Sequence, residues 1–265
     1  MRVTRSIIPN LFTLANLFCG FASVVTIVEG YSADQDLSLD TIEQAATFIL
    51  LAGVFDMLDG MVARLVRSAS EFGVELDSLC DTVSFGLAPS IMVWAVFFHE
   101  WHSWGLLLAS LPALAAVLRL ARFNVQLTSM EDKLYFRGMP VPAAAFTIVS
   151  YLVFLHHSTW IPLDWRPLAL TCVVVVTAAA MVSTIRYDNL PRPTLASFRR
   201  RPTVFVVFLI AVVATILTSG KAIFPFMALY LLVGAIRHLI RRLTSKDETD
   251  EFDTLEEPEP DPFSM

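Results

Sequence analysis

Two pairs of aspartates stand inside apolar runs: Asp56 and Asp59, three apart, then Asp77 and Asp81, four apart. On a helix that turns about 100° per residue, each pair shares one face. Two short-stemmed carboxylate pairs on neighbouring helices are thus able to converge on one spot. Hard divalent cations such as Mg²⁺ take oxygen ligands of this kind, usually one or two carboxylates each with water and phosphate. Two such ions would balance four negative charges. Compensation is needed, because an ionised side chain at the centre of a membrane helix costs about 2.5–3.5 kcal/mol, and four on the order of 10 kcal/mol. Gly60 and Ala63 fall on the face of the first pair, and Gly73 lies just before the second. They remove bulk beside the carboxylates and leave room for a flat or phosphorylated ligand; close helix packing is the competing use of such residues.

The elements that carry these acids belong to a membrane. The chain has 265 residues, 55% hydrophobic and 17% charged, with a mean hydropathy of +0.63. A soluble domain carries about 25% charged residues. Cys19, Cys80 and Cys172 lie far apart in apolar runs, without disulfide or metal-ligand spacing. Crossing a bilayer takes roughly 20 helical residues, and segments near that length recur at about 9–28, 40–64, 77–98, 105–124, 141–157, 168–185, 203–219 and 222–241. The expected fold is therefore an all-α integral membrane bundle of about eight transmembrane helices. Eight crossings leave Arg166 and Lys221 alone on one side and the other seventeen Lys and Arg on the opposite side. By the positive-inside rule both termini are cytoplasmic. Trp101, Trp104, Trp160 and Trp165 then fall at the outer interface. Arg2 and Arg5 before an apolar run imitate a secretory signal, but Asn10, Thr13 and Asn16 interrupt that run and no clear cleavage site follows. The net charge of −6 is set by the end of the chain: residues 246–265 hold nine acids and one lysine. Two regions are expected, a transmembrane catalytic domain over 1–245 and an acidic disordered cytoplasmic tail over 246–265.

The spacing Asp56-x₂-Asp59-Gly60-x₂-Ala63-Arg64-x₈-Gly73-x₃-Asp77-x₃-Asp81 resembles the signature of the CDP-alcohol phosphotransferase family, with all eight defining positions matched over 26 residues. Within it the chain is similar to the bacterial membrane-bound branch that uses CDP-diacylglycerol and L-serine. Pro9-Asn10-x₂-Thr13-x₂-Asn16, Glu75-Leu76-Asp77-Ser78, Val83-Ser84-Phe85-Gly86, Ala121-Arg122-Phe123-Asn124 and Gly138-Met139-Pro140 carry that likeness. Past residue 145 it weakens, and Asp188-Asn189-Leu190-Pro191 departs from the pattern.

The resemblance implies the family fold, the bacterial inner membrane with the site near its cytoplasmic face, and a homodimer. It also implies a reaction: an alcohol attacks the β-phosphorus of a CDP-linked lipid and CMP leaves. Two Mg²⁺ or Mn²⁺ ions would be held by Asp56, Asp59, Asp77 and Asp81, with Asp81 also the general base that a weakly nucleophilic hydroxyl needs. Gly60, Ala63 and Gly73 would border the cytidine, with Arg64 near the nucleotide and its phosphates. Asn10, Thr13 and Asn16 form one polar stripe on the first helix, reaching either the nucleotide or other helices. Arg119 and Arg122 suit a serine carboxylate or a lipid phosphate, with membrane anchoring the alternative; Asn124 and Arg137 are lesser candidates. The same chemistry with glycerol 3-phosphate or inositol phosphate is the nearest rival reading. An ion or proton transporter using the four acids is another, although it leaves the Gly-Ala-Arg spacing unexplained.

Overall fold

The computed structural model describes residues 2–34, 37–66, 70–128, 138–156, 158–185, 210, 213–215, 217–218 and 220–253, which form helices and turns with no strand among them. Helix α1 (Arg2–Asp34) is followed by α2 (Leu39–Val66) and α3 (Glu71–Asp81). A wider π-helical turn (Thr82–Leu87) carries α3 into α4 (Ala88–Val96). Next come α5 (His102–Thr128) and α6 (Val141–Tyr151), the latter ending in a second π-helical turn at Leu152–His156. Helix α7 (Arg166–Val182) and helix α8 (Ile223–Asp253) complete the described bundle.

Among the described residues, five stretches are long and apolar enough to cross a membrane: Ile7–Ser32, Leu39–Ala63, Glu71–Val96, Phe98–Val125 and Leu163–Val182. Val141–His156 and Ile223–Arg237 are shorter apolar helices. The expected crossing at 203–219 lies largely outside the described residues, as does the loop 186–202. The third crossing starts earlier than the expected residue 77. Ser70 caps it by accepting the Gly73 N–H at 3.1 Å, so Asp77 and Asp81 lie within one helix. At the other end, α8 continues to Asp253, through the first eight residues of the expected tail 246–265. Extending an existing helix costs far less than nucleating one. Residues 254–265 lie outside the described residues.

Burial inverts the pattern of a soluble helix. On α1, Ile7, Leu11, Leu14, Phe18 and Phe21 are exposed, whereas Thr13, Asn16, Gly20 and Ser23 face the bundle. Apolar side chains outside and polar ones inside is the arrangement expected when lipid is the solvent. Small residues then bring backbones together. A Cβ on Gly20 would lie 2.3 Å from Ser84 Oγ and 2.7 Å from Ser84 Cα, so only glycine lets α1 meet the π-helical turn. Near the end of α7, Gly138 adopts φ 87° and donates to the Ile185 carbonyl at 2.8 Å, while Met139 donates to Ala180 at 2.9 Å. The segment leading into α6 is thereby tied to the end of α7.

Candidate active site

The four aspartates lie on two helices that α1 holds together. Asp56 and Asp59 occupy the C-terminal half of α2, and Asp77 and Asp81 the C-terminal half of α3. Carboxylate oxygens of Asp56, Asp59 and Asp77 all lie within 4.8 Å of one another. Asp59 and Asp81 are each only 7% exposed, and Asp81 is within electrostatic reach of the other three. Like charges this close in an apolar bundle repel strongly. Asp77 Oδ1 is buried and accepts no hydrogen bond from the described residues. A converging set of hard oxygens with one buried acceptor unsatisfied fits a divalent cation.

Helix α1 supplies a donor to each pair. Thr13 Oγ1 lies 3.0 Å from Asp59 Oδ2 and 3.2 Å from the Pro9 carbonyl. A hydroxyl has one proton, and the carboxylate is the stronger acceptor. Three residues on, Asn16 Nδ2 donates to Asp81 Oδ1 at 3.0 Å. The stripe expected to reach either a nucleotide or other helices therefore engages the aspartates through Thr13 and Asn16. Asn10 sits at its open end: a Cβ on Gly73 would lie 3.7 Å from Asn10 Oδ1 and 3.1 Å from Ser70 Oγ. Gly73, Asn10, Gly60 and Ala63 are half-buried beside the carboxylates. Arg64 belongs to α2, but its side chain lies outside the described residues, and so does Arg137.

The remaining candidates separate. Arg119 of α5 is half-buried, within electrostatic reach of Asp81 and of Tyr230 on α8, and its buried Nε has no hydrogen-bond partner among the described residues. Arg122 is exposed and donates to the Val182 carbonyl at 3.0 Å, at the C-terminus of α7 where a cation is favoured. Asn124 donates to Glu75 Oε2 at 3.1 Å and exchanges hydrogen bonds with Ser78, joining α5 to α3. Ser78 and Ser84 were given no site role from sequence. Ser84 Oγ donates to the Asn16 carbonyl at 3.0 Å; its signal in sequence is its place in the Val83-Ser84-Phe85-Gly86 motif.

The comparisons agree with this geometry. Residues 6–184 match the family model described as CDP-alcohol phosphatidyltransferase. The chain is 31% identical over 231 residues to the CDP-diacylglycerol--serine O-phosphatidyltransferase of Helicobacter pylori, covering 87% of this chain and 90% of that protein. It is 32% identical over 142 residues to the protein of the same description in Bacillus subtilis, covering 54% and 73%. It is 30% identical over 184 residues to the archaetidylserine synthase of Methanothermobacter thermautotrophicus, covering 69% and 70%. With the matched region running from the first helix through the aspartates to the end of α7, the chain belongs to the CDP-alcohol phosphatidyltransferase family.

Proposed function

We propose that the protein is a CDP-diacylglycerol–serine O-phosphatidyltransferase, which transfers the phosphatidyl group to the hydroxyl of L-serine and releases CMP. The observation that carries this reading is the convergence of the Asp56, Asp59 and Asp77 oxygens within 4.8 Å, on the family's own spacing. The relatives named above differ in their lipid and share serine in their names, which supports serine as the acceptor here.

Asp56, Asp59 and Asp77 would hold divalent metal, two Mg²⁺ or Mn²⁺ ions, with Asp81 also in reach. When bound, the metal supplies Lewis-acid stabilisation of the pyrophosphate and its leaving group. Asp81 takes the proton from the serine hydroxyl as that oxygen attacks the β-phosphorus, and the bond from phosphorus to the CMP oxygen breaks. Phosphoryl transfer of this kind needs positioning and charge stabilisation more than covalent participation by the protein. Gly73, Gly60 and Ala63 border the nucleotide base, with Asn10 and Thr13 at its edge and Arg64 at its phosphates. Arg119 receives the serine carboxylate or the lipid phosphate; its unpartnered Nε supports that role. Arg122, Asn124 and Arg137 are secondary positions for the same task.

The site lies at the cytoplasmic face of the bacterial inner membrane, in a bundle of about eight crossings with both termini cytoplasmic. The catalytic domain spans 1–245, the acidic end from 246 is a separate appendage, and the working unit is a homodimer.

The test is CMP release by the purified protein from CDP-diacylglycerol with Mg²⁺ or Mn²⁺ and one of L-serine, glycerol 3-phosphate or inositol phosphate. Release is expected with serine. Release only with another alcohol moves the acceptor assignment, and silence with all three removes the enzyme reading.

A further inference from the structure

Asn16 is 0% exposed, and its Nδ2 donates to Asp81 Oδ1 at 3.0 Å. Its amide oxygen is buried and has no hydrogen-bond partner among the described residues. The neighbouring carboxylate fixes which end of the amide faces it, because only the NH₂ end donates. The other end is left unsatisfied in the protein interior, a cost that a leucine of similar size would avoid. A half-satisfied amide at a fully buried position is retained for what its satisfied half does. We infer that Asn16 is a positioning residue for Asp81, holding Oδ1 so that the second carboxylate oxygen meets the acceptor hydroxyl. The inference rests on Asp81 being the general base.

The surrounding backbone is built for this. Ser84 Oγ donates to the Asn16 carbonyl, so Asn16 is tied to the turn that begins directly after Asp81. Gly20, one helical turn beyond Asn16, permits the close approach that makes this bond. The donor and the carboxylate are thereby referenced to one rigid piece of the third crossing. A buried carboxylate rotates about its last bond unless something holds it, and removing that freedom before the substrate arrives raises the fraction of productive encounters.

The experiment compares Asn16→Leu with the parent in detergent micelles. Expected are a fall in kcat of about 10- to 100-fold, with a KM for CDP-diacylglycerol and a metal requirement within about twofold. Asn16→Leu is also placed on Asp81→Glu, which keeps a carboxylate but displaces it by one methylene. There it costs no further turnover, since a residue acting through Asp81 has nothing left to position. Should the leucine variant fail to fold, Asn16→Ser takes its place with the same expectations. Turnover within twofold of the parent, or an equal loss in both backgrounds, overturns the inference. If Asp81→Asn alone keeps parental turnover, the base assignment itself fails and takes this inference with it.

Discussion

The hydroxyl and amide side chains of α1 to α5 make bonds between helices that those of α6 and α7 do not. In the first region several cross between helices: Thr13 to Asp59, Asn16 to Asp81, Ser84 to the Asn16 carbonyl, and Asn124 to Ser78; others there, such as Thr26 and Thr47, bond one turn back. Ser90 Oγ likewise accepts the Ala113 N–H at 3.0 Å, beside Pro112, which has no N–H of its own. In the second region the described serine and threonine hydroxyls fold back on their own helices. Thr147 bonds the Ala143 carbonyl at 2.8 Å, Thr171 that of Pro167 at 2.8 Å, and Thr177 that of Val173 at 2.7 Å. A hydroxyl satisfied one turn back makes no demand on a neighbour. One that reaches another helix fixes a separation, and here the separations fixed are those between carboxylates.

The largest effect should come from the carboxylates themselves. Asp77→Asn removes the charge beside the unsatisfied oxygen and is expected to lower CMP release more than about 10³-fold, as is omission of divalent metal from the parent. An Asp77→Asn enzyme still working above a tenth of the parental rate would dissolve the contrast between the two regions. Next in size is Gly20→Val, which pushes α1 off Ser84. A displacement of about 1 Å at reacting groups costs on the order of 100-fold, and a steady-state assay should register a loss of that order. Gly138→Ala acts on stability: it puts a side chain at φ 87° and a Cβ 2.2 Å from the Met181 carbonyl oxygen. Strain of this kind costs about 1–3 kcal/mol, to be read as a lowered Tm in a thermal melt. Smallest is Thr147→Val, which deletes a hydroxyl bonded only within α6. Turnover within about twofold and stability within about 0.5 kcal/mol are expected, and a large loss in either would show that the second region is less passive than its bonding implies.

The aspartates were legible in sequence because residues three and four apart on a helix must share a face, whatever the helix packs against. Their convergence on one spot followed the same logic, and three of the four carboxylates meet that expectation within 4.8 Å. The partners across helices were not legible. The spacing of Asn10, Thr13 and Asn16 reveals a stripe but not what it faces, and the structure turns Thr13 and Asn16 toward the acids. Arg122 reads as an anion ligand by type, yet its exposed guanidinium reaches the Val182 carbonyl at the end of α7. That bond depends on α5 and α7 packing side by side, which no local pattern encodes. The π-helical turn at Thr82–Leu87 was equally hidden. It shifts the helix register just before Pro89, which cannot donate to the Phe85 carbonyl, and Gly86 there admits α5, since a Cβ would lie 3.0 Å from that of Ala116.

The inward stripe of α1 also bears on how the molecule is made. Thr13 finds its partner 46 residues later in the chain, and Asn16 finds its own 65 residues later. A ribosome delivers the first crossing well before either acid exists, so that helix enters the lipid with its amide and hydroxyl unanswered. The two acidic segments that follow arrive to a waiting pair of donors, and the aspartate cluster is assembled around a helix made before it.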